Sequence, residues 1–546
     1  MPDSDRPGAP EPARQPQHPS RRLGLAAWMI SLATLTSRML GLLRELLFAA
    51  LFGASALADA FVAAFRLPNL MRDLLAEGAL QSALLPAFKA RLGRRGAAAA
   101  HELAAAVTGN LALVVGCGVL VAALAAPQLF GALAGDYARV PGKLEITVVL
   151  FRVMSPFLLL VCLSAVAMSL ANAHDRFIAP ALAPALFNVV AITVGLGLYF
   201  AGARGYQVAL GWALGTVAGG LAQLALQVPG LWREGWRPRV RLDLRLRDPD
   251  VRAIAVALLP AILGVAALQL NVFINTMFAS SDPGAVAWLN YAFRFLQLPV
   301  GVFGVAIATV STARYSEAVI TGDMALMRQH VAGGLRMVLL LCAPATVGLV
   351  VLDESILRLL YQRGRFAERD TVASAAALEC YASGMIAYAG VKVVAPAFYA
   401  LRKIRVAVLA SLSSVAVNYA LNAALHDAHG FRALALATAA AALLNGAILY
   451  VGFSRLVAPL PHRELAAFAA RVAAACLVMA VVVQKAHAWI DARVGHTYTP
   501  DRLVETLAPV ALGALVYGLA AAALRIEEVS SLVRKLATRR VPPAAR

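Results

Sequence analysis

Charged side chains recur inside a strongly apolar stretch of the sequence, SRMLGLLRELLFAALFGASALADAFVAAFRLPNLMRDLLAEGA at positions 37–79. Its charged residues are Arg38, Arg44, Arg66 and Arg72, together with Glu45, Asp59, Asp73 and Glu77. A fifth arginine, Arg294, stands in a later apolar run (285–310) that contains no acid. Arginine carries a planar fork that pairs with two phosphate oxygens at once and stays charged in apolar surroundings. The pattern indicates a buried site for a pyrophosphate-like anion or, alternatively, arginines that only neutralise the acids.

Helical spacing gathers these charges into stripes. At about 100° per residue, one stripe consists of Arg66, Asn69, Asp73 and Glu77, which lie within about 80° of one another, and a second consists of Arg38, Gly41 and Glu45. An ionised side chain at the bilayer centre costs on the order of 3 kcal/mol, so such residues face a bundle interior or a watery cavity. The stripes therefore predict a polar cavity between helices.

The elements that carry these residues are membrane helices. The sequence is 60% hydrophobic and 14% charged, well below the charge of a soluble domain. Apolar runs long enough to cross a bilayer recur at 24–52, 60–86, 103–127, 149–172, 178–201, 207–228, 252–279, 286–311, 332–353, 371–400, 406–425, 431–453, 465–487 and 503–524. These runs predict an all-α polytopic membrane protein with about 14 transmembrane helices.

Basic residues fall in alternate loops, which predicts that both termini are cytoplasmic. The net charge of +19 is thereby assigned to topology, and no nucleic-acid partner is expected. The segment 354–370 breaks the pattern with four arginines on the external side, so it is a candidate interfacial helix. The Pro-rich N-terminal residues are expected to be a disordered tail.

An internal repeat predicts two lobes. FGAS at 52–55 recurs as FASS at 278–281, and AFRLP at 64–68 recurs as AFRFLQLP at 292–299, offsets of 226 and 228 residues. An even number of helices separates the copies, which predicts two six-helix lobes related by a pseudo-two-fold axis along the membrane normal, plus two C-terminal helices. The expected boundaries are a disordered cytoplasmic tail (1–22), an N-lobe with a cationic cavity (23–229), a basic cytoplasmic linker (230–249), a C-lobe (250–458), helices 13 and 14 (459–526) and a basic cytoplasmic tail (527–546).

Other chemistry finds little support in the sequence. The five cysteines lie inside apolar runs without CxxC spacing, so packing is their expected role. The seventh span offers only Gln269, Asn271 and Asn275, without a carboxylate, so no tight metal site is expected. A polytopic lipid-processing enzyme would need paired loop carboxylates, a histidine nucleophile or a metal cluster, and the nine histidines form no such array. That enzyme and an exporter of drugs or of another polyprenyl-linked oligosaccharide are the alternatives.

Beyond these inferences, the sequence from Ser37 to Phe88 resembles the N-terminal signature of the MurJ/MviN family of bacterial lipid II flippases, within the multidrug/oligosaccharidyl-lipid/polysaccharide exporter superfamily. The resemblance continues through HDRFIAPALAPALFN (174–188), PAILGVAALQLNVFINTMFAS (260–280) and VKVVAPAFYALR (391–402). It implies export of the undecaprenyl-pyrophosphate-linked peptidoglycan precursor, lipid II, to the periplasmic leaflet of the inner membrane by alternating access. Helices 13 and 14 would form a groove for the lipid tail.

The resemblance also implies site residues. Those carried over are Ser37, Arg38, Arg44, Asp59, Arg72 and Arg294, to which Arg66 is added from its stripe, with Glu45, Asp73 and Glu77 in gating or charge pairing. No cofactor or metal is expected, while coupling to the membrane potential or to an ion is implied. The expected partners are lipid II, bilayer lipids and peptidoglycan-synthesis proteins, and the oligomeric state stays open.

Overall fold

A computed structural model of the protein describes residues 20–74, 80–494, 499–526 and 528–529. Within these ranges, the side chains of residues 20–28, 30–31, 70–74, 82 and 259–269 lie outside the description. The described part of the chain contains helices and no strand, which confirms the predicted all-α fold. Most of the two predicted tails falls outside the described residues.

In its described residues, the N-terminal half consists of helices and one short 3₁₀ segment, Gly135–Arg139. The helices are α1 (Ser20–Phe52), α2 (Ala56–Leu74), α3 (Leu80–Leu124), α4 (Ala126–Leu133), α5 (Lys143–Met154), α6 (Pro156–Ala173), α7 (Ile178–Phe200) and α8 (Tyr206–Arg233). Helix α7 packs along α8 and α1, while α3 packs along α6.

The C-terminal half follows after an extended connection. Its helices are α9 (Pro249–Ala279), α10 (Ala285–Pro299), α11 (Val305–Thr321), α12 (Met324–Val351), α13 (Asp353–Tyr361), α14 (Glu368–Ala382), α15 (Met385–Ala400), α16 (Ile404–His429) and α17 (Phe431–Leu456), then α18 (His462–Val494) and α19 (Thr499–Ala523). A π-helical turn, Val300–Gly304, joins α10 to α11. Helices α18 and α19 pack against each other, and they also pack against α12 and α13, respectively.

The fourteen predicted spans are mostly helical where they are described, as expected of a chain that must satisfy its backbone hydrogen bonds inside lipid. Ten helical runs among the described residues are long and apolar enough to cross a bilayer. The count of fourteen spans and the lobe boundaries stay predictions. Several spans are interrupted, because Pro156 begins α6 directly after α5 and Gly384 separates α14 from α15.

One predicted boundary differs from the structure. The basic run at 89–95, expected to be a loop after the second span, is helical and belongs to α3. The helix breaks at Gly96, which has φ +77°, a conformation that costs glycine little because it lacks Cβ. Arginine is a good helix former, so a run of basic residues does not by itself end a helix.

The candidate interfacial segment at 354–370 contains most of α13, then a non-helical connection (362–367) and the first residues of α14. Helix α13 packs between α14 and α19, and Leu357 and Tyr361 are fully buried. Arg358 donates to the buried Glu505 of α19, with 3.0 Å between Nη1 and Oε1. Arg358, one of the four arginines that break the charge pattern, thus has an internal counter-charge on a C-terminal helix.

Candidate functional site

A cavity lies between the two halves of the chain, where α1, α2, α8 and α10 approach one another. The lining residues are Arg44, Glu45, Phe48, Phe61, Val62, Phe65, Arg66, Asn69, Trp212, Thr216, Asn290, Tyr291 and Arg294. Three of these side chains are arginines, and one is an acid. The cavity wall therefore combines aromatic surface with an excess of basic over acidic groups.

An ion pair crosses the cavity between the two halves. Arg294 of α10 lies 2.5 Å (Nη2 to Oε1) from Glu45 of α1. The counter-charge that the sequence of α10 lacks is therefore supplied by the first helix of the other half. The Arg294 side chain remains 41% exposed, against 13% for Glu45, so the arginine still has exposed surface beside the pair.

Two more arginines of the lining, Arg66 and Arg44, contact neutral groups on other helices or rings. Arg66 donates from Nη1 to the carbonyl oxygen of Val272 at 3.0 Å and to Thr276 Oγ1 at 2.6 Å, both on α9. The Arg44 guanidinium lies over the ring of Phe65 at 5.9 Å and over that of Phe187 at 5.3 Å. Cation–π contacts of this kind orient a guanidinium.

Arg38 lies beside the opposite half, outside the lining set. A Cβ atom added to Gly301 in the π-helical turn would stand 3.5 Å from Arg38 Nη1. Arg38 is exposed and six residues from Arg44, about 9 Å along α1. The carbonyl oxygen of Ser37 accepts a hydrogen bond of 3.3 Å from Asn188 Nδ2, which fixes α1 against α7.

Three predicted residues cannot be assigned to the cavity. Arg72 and Asp73 belong to α2, but their side chains lie outside the described residues, as does all of Glu77. The expected convergence of Arg72 with Arg38, Arg44 and Arg294 therefore stays a prediction. Of the remaining arginines, the structure brings Arg44 and Arg294 to one cavity together with Arg66.

Asp59 lies outside the cavity lining, two helical turns along α2 from Arg66. Its side chain is fully buried and accepts a hydrogen bond of 2.9 Å from Lys143 Nζ of α5. It also accepts hydrogen bonds from the backbone N–H of Gly284 (2.8 Å) and of Ala287 (3.0 Å) at the start of α10. A carboxylate of one half thus caps a helix of the other half, where the helix dipole favours negative charge.

Further contacts join the halves at the same end of the molecule. The N–H of Arg365 donates to the carbonyl oxygen of Ala50 at 2.8 Å, and Tyr291 Oη donates to that of Gly53 at 3.2 Å. Gly53 has φ +58°, and a Cβ there would stand 2.5 Å from the Arg365 carbonyl oxygen, so only glycine allows this approach. We call these contacts, together with those of Asp59, the clamp.

The described residues contain no group of three or more His, Cys, Asp and Glu side chains that could hold a metal ion. Asn275 of α9 instead donates to Thr438 Oγ1 at 2.6 Å and accepts from Asn422 Nδ2 at 2.9 Å. The cluster is buried and neutral, and the side chain of Gln269 lies outside the described residues. Neutral amides are poor ligands for a tightly held cation.

Sequence reasoning missed Lys143, Thr276 and Tyr291. Lys143 is the first residue of α5, but the sequence around it carries mixed charges, and one lysine among them gives no signal of burial. Thr276 and Tyr291 resemble ordinary polar residues of membrane helices. Only the contacts of Lys143 with Asp59, of Thr276 with Arg66 and of Tyr291 with Gly53 identify them.

Comparison with known sequences gives a consistent result. The family model described as Lipid II flippase MurJ matches residues 48–507. A probable lipid II flippase MurJ of Vibrio cholerae is 33% identical over 470 residues, covering 84% of this chain and 88% of the relative. The lipid II flippase MurJ of Burkholderia cenocepacia is 32% identical over 451 residues, covering 82% and 87%.

Solved structures share the fold. A lipid II flippase MurJ in an inward closed conformation matches with a TM-score of 0.75 at 22% identity, covering 92% of this chain and 99% of that one. An inward-facing multidrug resistance transporter of the MATE family matches with a TM-score of 0.62 at 16% identity, covering 79% and 95%. Identities this low are evidence for the architecture alone.

Proposed function

The chain belongs to the lipid II flippase family MurJ, and from this premise we propose that it carries lipid II across the bacterial inner membrane. The substrate is the undecaprenyl-pyrophosphate-linked peptidoglycan precursor, moved from the cytoplasmic to the periplasmic leaflet. The protein is a transporter and catalyses no covalent step. Both termini and the α8–α9 connection are on the cytoplasmic side in this proposal, which rests on the alternation of basic loops.

The observation that carries the proposal is the charge of the cavity lining. Among the described lining residues, Arg44, Arg66 and Arg294 stand against one acid, Glu45. The lining thus holds an excess of about two positive charges, which matches the two negative charges of a pyrophosphate diester and the bidentate geometry that guanidinium groups offer to phosphate. A drug exporter needs no such excess.

In this mechanism Arg294 has two partners in turn, Glu45 and the pyrophosphate. When the cavity is empty, Glu45 neutralises Arg294 across the two halves. When the pyrophosphate enters, its oxygens compete with Glu45 for the guanidinium, because two charge-assisted bonds to phosphate replace one to a carboxylate. Release of Glu45 loosens one contact between the halves, so substrate binding is coupled to their separation.

Alternating access also needs one end of the cavity to be closed while the other is open. The clamp closes the end at which α1 ends and α2 begins, and positive-inside topology assigns that end to the periplasm. Opening the clamp would expose the cavity to the periplasmic leaflet. Coupling to the membrane potential or to an ion, and contacts with peptidoglycan-synthesis proteins, remain part of the proposal by family membership alone.

Arginine-to-lysine variants test pyrophosphate recognition. Lys at 38, 44 or 294 keeps the charge but loses the planar fork, and losing one charge-assisted hydrogen bond of about 1.5–3 kcal/mol should lower lipid II flipping about 10- to 100-fold. The variants are expressed at matched membrane levels in cells depleted of their own flippase, and lipid II at the outer leaflet is measured. The control is Arg204→Lys, an exposed loop arginine that bonds only to nearby carbonyl groups among the described residues. Near-normal flipping by all three variants, at positions 38, 44 and 294, would contradict the proposal.

A further inference from the structure

The connection between α8 and α9 runs as extended chain from Trp236 to Asp243 and then makes a turn, in which the Leu246 N–H donates to the carbonyl oxygen of Asp243 at 3.1 Å. It reads WRPRVRLDLRLR from Trp236 to Arg247. Val240, Leu242 and Leu244 are 71%, 55% and 58% exposed, and arginines or an aspartate occupy the positions between and beside them. Successive side chains of an extended chain point to opposite sides. In the extended part, an apolar face formed by Val240 and Leu242 therefore lies opposite a basic face formed by Arg239 and Arg241, and the described residues leave both apolar side chains more than half exposed.

The segment is fixed in this conformation against α3. The backbone N–H of Arg241 donates to the carbonyl oxygen of Ala105 at 3.2 Å, and the Asn110 side chain bonds to both the N–H and the carbonyl group of Asp243, at 2.9 and 3.0 Å. A Cβ atom on Gly109 would stand 2.1 Å from the carbonyl oxygen of Arg241, so glycine permits this close approach. The exposed apolar side chains thus belong to a built element of the fold.

The contacts with α3 also define where the segment lies along that helix. Leu113 and Val114, one helical turn beyond Asn110, are 37% and 66% exposed and begin the apolar outer surface of α3. On the other side, Arg241 pairs with Glu102 at 3.3 Å. The segment therefore lies between the charged residues of α3 around Glu102 and the apolar outer surface of α3 that begins at Leu113.

The charge of the segment favours an anionic surface. Five arginines stand against one aspartate from Trp236 to Arg247. Arg239 and Arg245 are exposed and form no ion pair with any described residue. At the end of α8, Trp232 is 49% exposed, and tryptophan is enriched at membrane interfaces.

We propose that residues 236–247 form a binding site for anionic phospholipid headgroups in the adjacent leaflet. The apolar face enters the boundary between headgroups and acyl chains, and Arg239 and Arg245 contact the lipid phosphates. This site is separate from the arginine cavity and does not depend on the transported substrate. It would anchor the connection between the two halves to the membrane surface.

Depth measurements on the full-length chain test the site. In a variant without the five native cysteines, a single cysteine at position 240, 242 or 239 carries an environment-sensitive fluorophore. The protein is reconstituted into nanodiscs of phosphatidylcholine with or without phosphatidylglycerol, including bromine-labelled lipid. We expect lipid quenching at 240 and 242 to exceed that at 239 about threefold, and to depend on phosphatidylglycerol.

A charge variant supplies the second arm. Arg239→Gln combined with Arg245→Gln should weaken binding of a fluorescent phosphatidylglycerol about tenfold. The matched pair Arg402→Gln and Arg405→Gln, exposed at the basic turn that leads into α16, should change it little. Equal, weak lipid quenching at all three positions would overturn the proposal. So would apolar positions that are shielded from aqueous iodide without being quenched by lipid, because a protein surface would then cover them.

Discussion

Replacing Asp59 with asparagine removes the charge at the centre of the clamp while keeping the size of the side chain. The carboxylate bonds to Lys143, which belongs to the same half, and to the N–H groups of Gly284 and Ala287, which belong to the other half. If the halves separate at this end, the first bond survives and the other two break. Asp59→Asn should therefore destabilise the closed state more than the open state.

The magnitude follows from those two backbone hydrogen bonds. A hydrogen bond to a charged group contributes about 1.5–3 kcal/mol, and the asparagine oxygen can still accept one of the two as a weaker neutral bond. We therefore expect the closed state to lose about 2–4 kcal/mol relative to the open state. This shifts the ratio of the two states about 30- to 1000-fold.

Distances between spin labels at positions 55 and 281 measure this shift, because Ser55 and Ser281 lie on opposite halves beside the clamp. In the cysteine-free chain in nanodiscs, Asp59→Asn should move the distance distribution to longer values. Asp136→Asn is the control, since that acid lies at the same end but pairs with Arg139 of its own half. An unchanged distribution in a monodisperse Asp59→Asn sample would refute the idea that these hydrogen bonds hold the halves together.

Two further predictions concern buried and loop charges. Glu505→Gln leaves Arg358 without its buried counter-charge, at a cost of about 3 kcal/mol, so the thermal unfolding midpoint should fall. Glu354→Gln removes an exposed partner of the same arginine and should change the midpoint little. Equal shifts in the two variants would contradict this assignment. The N–H groups of Asp248 and Arg247 lower the pKa of Asp243, so its contribution to the order of the α8–α9 connection is present above about pH 4 and is lost as the pH falls below that value. The fluorescence anisotropy of a label at position 240 should accordingly stay constant from neutral pH to about pH 5 and fall at lower pH, and a fall already complete at pH 5 would contradict the prediction.

The sequence by itself determined the class of the protein and most of its helices. Apolar runs of spanning length predict helices because a lipid-embedded backbone must satisfy its own hydrogen bonds. The stripe that contains Arg66 and Asn69 predicted a polar cavity because helical periodicity is a local property of the chain. Both residues line the cavity in the structure. The motifs from Ser37 to Phe88 indicated the family, which the family model and the curated relatives confirm.

The sequence could not determine which charges meet. The apolar run around Arg294 holds no acid, and nothing local connects that arginine with Glu45 in the first helix. The basic run before Gly96 was misinterpreted as a loop, because its charge indicated a membrane boundary while its helix propensity extended α3. The pairing of Arg294 with Glu45 depends on packing between helices that are distant in the chain, whereas the extension of α3 follows from local helix propensity.

Asp59 shows most clearly what only the tertiary structure decided. The predicted repeat relates positions about 226 residues apart, and Asp59 bonds to Gly284 and Ala287, which are 225 and 228 residues away. In the predicted arrangement of two lobes, equivalent positions touch only where they lie next to the axis that relates the lobes. The sequence contains the offset, but the position of that axis is set by how two whole helix bundles pack. For this reason the partners of Asp59 could be recognised only in the folded chain.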